Sequence, residues 1–162
     1  MPGLIVRQFL RRQQGGVTVE FAMTLTLLLL LVFGAIDLGH AYYMKQILVN
    51  ASREGARYAT RYQSDSSGNH ILPNSLNPSI QDYILKTSAD NGNKGGYGLA
   101  AMLPSNSSPG VAPAGSGYTS GAASSDLSVT VTARKNWFVL GALVPGLGSY
   151  VNLSVTTNMK VE

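Results

Sequence analysis

At 162 residues the chain has room for one small domain plus an anchor. It has no cysteine, which excludes a disulfide framework and any thiolate metal site. Three of its twelve basic residues, Arg7, Arg11 and Arg12, precede the first acidic one, Glu20; the other nine face eight acidic residues, so the net charge of +4 reports a basic leader and gives no argument for a nucleic-acid partner.

Residues 1–15 form that leader, and the positive-inside rule places it in the cytoplasm. From residue 16 to 36 only Thr18, Glu20, Thr24 and Thr26 interrupt an apolar run. Phe21 to Ile36 would make about 24 Å of helix, short of a hydrocarbon core of roughly 30 Å. Counting from Gly16 supplies the missing length, and Glu20 then falls just inside the cytoplasmic edge of the membrane. An ionised carboxylate there costs several kcal/mol unless a partner satisfies it. Asp37 marks the far edge, and Tyr42 and Tyr43 suit an aromatic interface belt.

Beyond Asp37 the helical period continues. Met44, Leu48, Ala51, Gly55, Tyr58 and Tyr62 fall on one narrow stripe, while Arg53, Arg57 and Arg61 form an i, i+4 ladder off it. Glu54 can reach Arg57 at i+3. With no proline from Gly16 to Gln63, residues 37–62 read as an extramembrane continuation of the helix, about 70 Å long in all. Residues 63–126 are loop-rich, with a short helix near 78–89 opened by Asn77 as N-cap and Pro78 at the first position. The stretch from Asp90 to Ser125 is poor in large apolar residues and reads as mobile. Residues 127–162 alternate apolar and polar side chains in two runs, Leu127 to Ala133 and Val151 to Val161, which predicts an antiparallel strand pair. Two strands alone are marginal, so their apolar face is expected on the Met44–Tyr62 stripe. The fold class is therefore α+β: a long N-terminal helix, part transmembrane and part projecting, with a small antiparallel β element on its outer half.

The sequence offers no catalytic constellation. His40 and His70 each lack a second ligand at metal spacing. No Gly-x-Ser-x-Gly elbow occurs, and no glycine-rich phosphate loop ends in Lys-Ser or Lys-Thr. The expectation is a non-enzyme with no catalytic residue, metal, cofactor or small-molecule substrate.

Two motifs remain. Gly15 is followed by Gly16-Val17-Thr18-Val19, then Glu20 and Phe21 at the head of the apolar run. Further on, FGAIDLGHAYYMKQILVNASREGARYATRY contains Gly34, Asp37, Gly39 and then Asn50, Ala51, Arg53, Glu54, Gly55, Ala56 and Arg57. The first motif resembles the processing site of type IV pilins and pseudopilins, nearest to the tight-adherence (Flp/Tad) branch, in which the glutamate is followed by Tyr rather than Phe. The second resembles the signature of TadE-like proteins. That resemblance implies a minor pilin-like subunit of a pilus assembly or secretion machine, held in the bacterial inner membrane by one span, N-terminus in the cytoplasm and C-terminal domain in the periplasm. It implies cleavage by a prepilin peptidase between Gly15 and Gly16. Glu20 would then pair with the new N-terminus of a neighbouring subunit, with Phe21 completing the site. Other pilins, pseudopilins and platform proteins are the implied partners, and incorporation into an extracellular pilus is a further implication. Asp37, Arg53, Glu54, Gly55 and Arg57 are candidate assembly and packing positions. Two alternatives stand beside this reading. One is an unprocessed membrane-anchored periplasmic binding module; the other is a secreted domain cut by signal peptidase after Ala41.

Overall fold

The computed structural model describes residues 3–162, with side chains from Gly15 onward; the leader side chains Arg7, Arg11 and Arg12 lie outside the described residues. Helix α1, Gly3–Thr60, runs 58 residues without interruption, about 87 Å at the usual helical rise. No proline lies within it, so no proline kink interrupts it, and the helix continues through the adjacent Gly15 and Gly16. From Gly15 to Ile36 nearly every side chain is exposed, Leu27 and Met23 by two thirds or more. One helical window is apolar and long enough to cross a membrane, and none of it is buried inside the fold.

The folded part gathers on the outer half of α1. A three-residue 3₁₀ turn, Pro73–Ser75, leads to the short helix α2, Ile80–Leu85. Helix α3, Leu99–Met102, strand β1, Gly110–Ala114, and helix α4, Ser116–Ser120, follow. Strand β2, Asp126–Asn136, helix α5, Leu140–Leu143, and strand β3, Tyr150–Lys160, complete the chain. The sheet is antiparallel in the order β1-β2-β3, with Val111 opposite Val131 and Val131 opposite Val155.

The strand pair anticipated from alternation is thus the β2–β3 part of a three-stranded sheet. The additional strand β1 lies in the stretch expected to be mobile. Its sequence, GVAPA, is too short and too poor in branched residues to announce a strand. The segment before it buries only Leu99 and Leu103 in the core and is otherwise held by polar bonds. Thr87 Oγ1 donates to Asp90 Oδ2 at 2.6 Å, and Asn91 Nδ2 donates to the carbonyls of Asp82 and Gly95. Tyr97 N donates to Tyr83 O at 2.7 Å. Helix α2 is shorter than the 78–89 expected. Asn77–Pro78 is a cis peptide, and Ser79, not Asn77, is the cap, its hydroxyl accepting from Asp82 N at 3.1 Å.

The core joins Met44, Leu48 and Ala51 of α1 to Ile80 and Ile84 of α2 and to Leu127, Val129 and Val131 of β2. Ser52 and Thr157 share a hydrogen bond of 2.7 Å between α1 and β3. The helix stripe is wider than the narrow one read from spacing, because Ile47, Ala56 and Ala59 are buried too. Tyr62 departs from it: α1 ends at Thr60, and the Tyr62 ring is exposed and stacks on His70 at 4.6 Å. Glu162 N donates to the Thr60 carbonyl at 3.2 Å and so satisfies one of the open acceptors at the end of α1.

Candidate functional site

The positions singled out by the sequence fall into three groups along α1. Toward the N-terminus, Gly15, Gly16, Glu20 and Phe21 are all exposed on the bare part of the helix. The Glu20 carboxylate has no partner among the described residues. Around it, Thr24 Oγ1 donates to the Glu20 carbonyl at 3.0 Å, and Thr26 Oγ1 donates to the Ala22 carbonyl at 2.8 Å. Back-bonding of this kind satisfies the threonine hydroxyls inside the helix and makes them compatible with hydrocarbon.

At the outer end of the apolar run, Asp37 is more than an edge marker. Its side chain and that of Lys135, near the end of β2, are each 1% exposed, and Lys135 Nζ lies 3.1 Å from Asp37 Oδ1. The same carboxylate accepts from the backbone N–H groups of Phe138 at 3.0 Å, Val139 at 3.0 Å and Leu140 at 3.1 Å. Lys135 Nζ also donates to the Asn136 carbonyl and stands 4.4 Å from the centre of the Phe138 ring. Burial pushes the Asp37 carboxyl up, yet the three N–H groups and the ammonium outweigh it and hold the group well below the usual carboxylate range. One residue of α1 therefore fixes the start of the β2–β3 connection. Leu140 lies over Gly34, one turn toward the N-terminus, where a Cβ would meet its Cδ2 at an ordinary contact distance of 3.6 Å. Gly39, by contrast, faces open space. His40 packs against Phe138 in a tilted ring contact with centres 5.4 Å apart, whereas His70 stacks on Tyr62, so both histidines make ring contacts in this fold. His40 Nδ1 and Trp137 Nε1 are buried beside the dock without a hydrogen-bond partner.

Sequence reasoning missed Lys135, although the signal is present. Leu127, Val129, Val131 and Ala133 are the inward positions of β2, and Lys135 continues that parity. A lysine on the buried face of a strand requires an anion, and Asp37 is the one acidic residue at the right level of α1.

The third group is the Arg53–Arg57 block. Gly55 is buried where α1, α2 and β2 meet; a Cβ there would overlap the Ile84 side chain and touch Val129. Glu54 does not pair with Arg57. It accepts from the Tyr83 hydroxyl at 3.3 Å, while Arg53 and Arg57 stay exposed. Tyr83 stacks on Tyr58 at 4.0 Å, and Tyr58 donates to the Pro78 carbonyl at 2.7 Å. Burial first, then the Glu54 charge, raises the Tyr83 and Tyr97 hydroxyls above their ordinary value. Asn50, Arg53, Arg57 and Tyr97 rim a shallow groove of 500 Å³ over this cluster.

Among the described residues, one exposed apolar run that continues as the core helix of a small antiparallel sheet fits single-pass membrane anchoring. Residues 15–57, about a quarter of the chain, match the family model described as TadE-like protein, so this stretch is similar to that family. The matched stretch runs from Gly15 to Arg57 and so takes in all three groups. No curated protein and no solved structure matches the chain.

Proposed function

We propose that the chain is a minor pilin-like subunit of a tight-adherence pilus machine. A prepilin peptidase cuts it between Gly15 and Gly16, and the product then works in pilus assembly as a structural part, without catalysis of its own. The observation that carries this reading is the TadE-like match beginning at Gly15, where the exposed apolar stretch of helix α1 begins. Glycine before the cut bond leaves space for a deep peptidase groove. The new amine on Gly16 sits one turn from Glu20, at i+4. In a bilayer both charges are costly; across two subunits each answers the other. The Glu20 carboxylate, uncommitted among the described residues, is available for that exchange. The protein resides in the bacterial inner membrane with the leader in the cytoplasm and the sheet in the periplasm, and its partners are the peptidase, other pilins and pseudopilins, and the assembly platform.

Signal-peptidase cleavage after Ala41 fits the structure poorly. It would remove Asp37 from a fold in which Lys135 is 1% exposed and depends on it. Sequencing the N-terminus of the protein recovered from cells with active prepilin peptidase decides the matter. A chain beginning at Gly16 is expected. An intact leader refutes processing, and a product beginning at Tyr42 establishes secretion instead.

A further inference from the structure

The connection between β2 and β3, from Trp137 to Ser149, contains no charged side chain. Phe138, Leu143, Val144 and Leu147 are all exposed on it, Phe138 by 68%. Around them Trp137, Phe138, Val144 and Pro145 help to line an open hollow of 710 Å³. Apolar side chains massed on an uncharged loop require a cover.

The position of the loop indicates what the cover is. Asp37 binds the N–H groups of Phe138, Val139 and Leu140. Leu140 packs over Gly34. If residues 16–36 fill the hydrocarbon, Gly34 lies about 3 Å inside its outer edge. The loop therefore reaches the level of the lipid surface on the side of the sheet, immediately next to the span. Exposed Tyr43 on α1 neighbours it through His40, whose ring contacts both Tyr43 and Phe138, and exposed Tyr150, paired with Asn136, opens β3 where the loop ends; tyrosine is the residue type found where hydrocarbon gives way to head groups.

We infer that the Trp137–Ser149 loop dips into the leaflet on the side of the sheet, forming a second membrane contact beside α1. Its ligand is the ester and upper acyl region of the lipids. The inference rests on the single-span anchoring of α1 and is independent of processing or filament assembly. A lone span leaves a small sheet free to swing about its root. A second contact, pinned to the first through Asp37 and Lys135, fixes which face the sheet presents while the subunit is in the membrane. The buried ion pair then has a positional purpose: it meets the polar needs of the loop's first residues from within the protein, where lipid could not.

Trp137 is the single tryptophan of the chain, so it reports on this loop alone. The full chain is reconstituted into phosphatidylcholine vesicles carrying a nitroxide near the head-group end of the acyl chain or near its methyl end. Flotation with the vesicles reports insertion of α1 separately. In floated protein, Trp137 emission is expected to be blue-shifted and quenched far more by the shallow label than by the deep one. The double variant Leu143→Asp, Leu147→Asp changes two exposed side chains, so the sheet is retained by circular dichroism. It is expected to float as before, with the shallow quenching lost and the emission red-shifted. A floated wild-type chain whose Trp137 escapes both labels and is open to acrylamide overturns the inference while leaving the span intact. Emission that escapes both labels and blue-shifts only as protein density rises overturns it in favour of a second copy as the cover. Unchanged quenching in the double variant overturns it as well. A chain that does not float overturns the anchoring and the inference together.

Discussion

Asp37→Ala is the most informative single change. It removes the partner of Lys135 Nζ at 3.1 Å and the acceptor of three backbone N–H groups at once. Leaving one partner of a buried ion pair alone costs about 3–5 kcal/mol. Each N–H left dry adds about 1–3 kcal/mol. Together these approach the whole stability of a small domain, about 5–15 kcal/mol. The chain is not expected to bear that load. The loop will leave α1, so that Lys135 and the three N–H groups find water or head groups, and the apparent cost falls to that of undocking. The core around Leu127, Val129 and Val131 does not depend on Asp37 and should survive. Hydrogen exchange in the reconstituted full chain reads this directly. A loss of about 3–5 kcal/mol corresponds to exchange between about a hundredfold and a few thousandfold faster at Phe138, Val139 and Leu140. Amides of β2 paired with β3 near Val131 should change little. The components can be separated. Lys135→Met leaves the carboxylate with its three N–H donors and should be mild; Asp37→Asn leaves a buried ammonium unpaired and should be severe. Equal effects from the two variants, or unaltered exchange at residues 138–140 in Asp37→Ala, would refute the reasoning.

Four further outcomes are expected. Gly55→Leu forces a side chain into Ile84 where α1, α2 and β2 meet, and overpacking should cost about 3 kcal/mol, seen as a lower thermal midpoint. Gly34→Leu adds a branched side chain beyond a Cβ position already in contact with Leu140 Cδ2, and should speed exchange at residues 138–140 without altering the midpoint of the sheet. The Asp37 carboxyl is depressed, so its contribution is complete above the ordinary carboxyl value of 3.8 and is lost only as pH falls through the lower folded value; the dock should show constant protection from neutral pH down to about pH 4. Glu20→Gln should leave membrane insertion, thermal midpoint and exchange at the dock unchanged, while reducing recovery of the protein with its assembly partners.

The elements whose signal lies in a long period were legible in the sequence. Helix α1 has its unbroken apolar run and its stripe, and β2 and β3 have clean alternation, so the α+β class and the packing of sheet on helix follow directly. The central segment was not legible. It is held by side-chain-to-backbone bonds from Thr87, Asn91 and Ser79, which carry no period, and by β1, which becomes a strand only because β2 offers it an edge. Tyr62 was misplaced because the stripe was continued past the end of the helix at Thr60. At the site, the Arg53–Arg57 block was recognised as a pattern, but its internal chemistry was not. Spacing along one helix suggests Glu54 to Arg57, whereas Tyr83, brought from α2, is the partner formed. Asp37 was likewise visible as a position and invisible as a contact, since its partner lies 98 residues away.

The two acidic residues in the apolar part of α1 answer one physical problem in opposite ways. Asp37 and Glu20 lie about 25 Å apart along the axis. Every requirement of Asp37 is met inside the chain, by one ammonium and three N–H groups, and the cost of burying that charge is offset where the sheet meets the span. The carboxylate of Glu20 has no such provision among the described residues, although it stands on the exposed part of the same helix. A charge satisfied within the monomer governs the shape of the monomer, and one left open can govern only what the monomer meets. Changes at Asp37 should therefore register in exchange and thermal stability of the isolated protein at any concentration. Changes at Glu20 should be silent there and appear only when other subunits are present. If Glu20→Gln destabilised the isolated, reconstituted chain as Asp37→Ala does, both carboxylates would be structural, and the proposed division between a pin and an assembly key would fail.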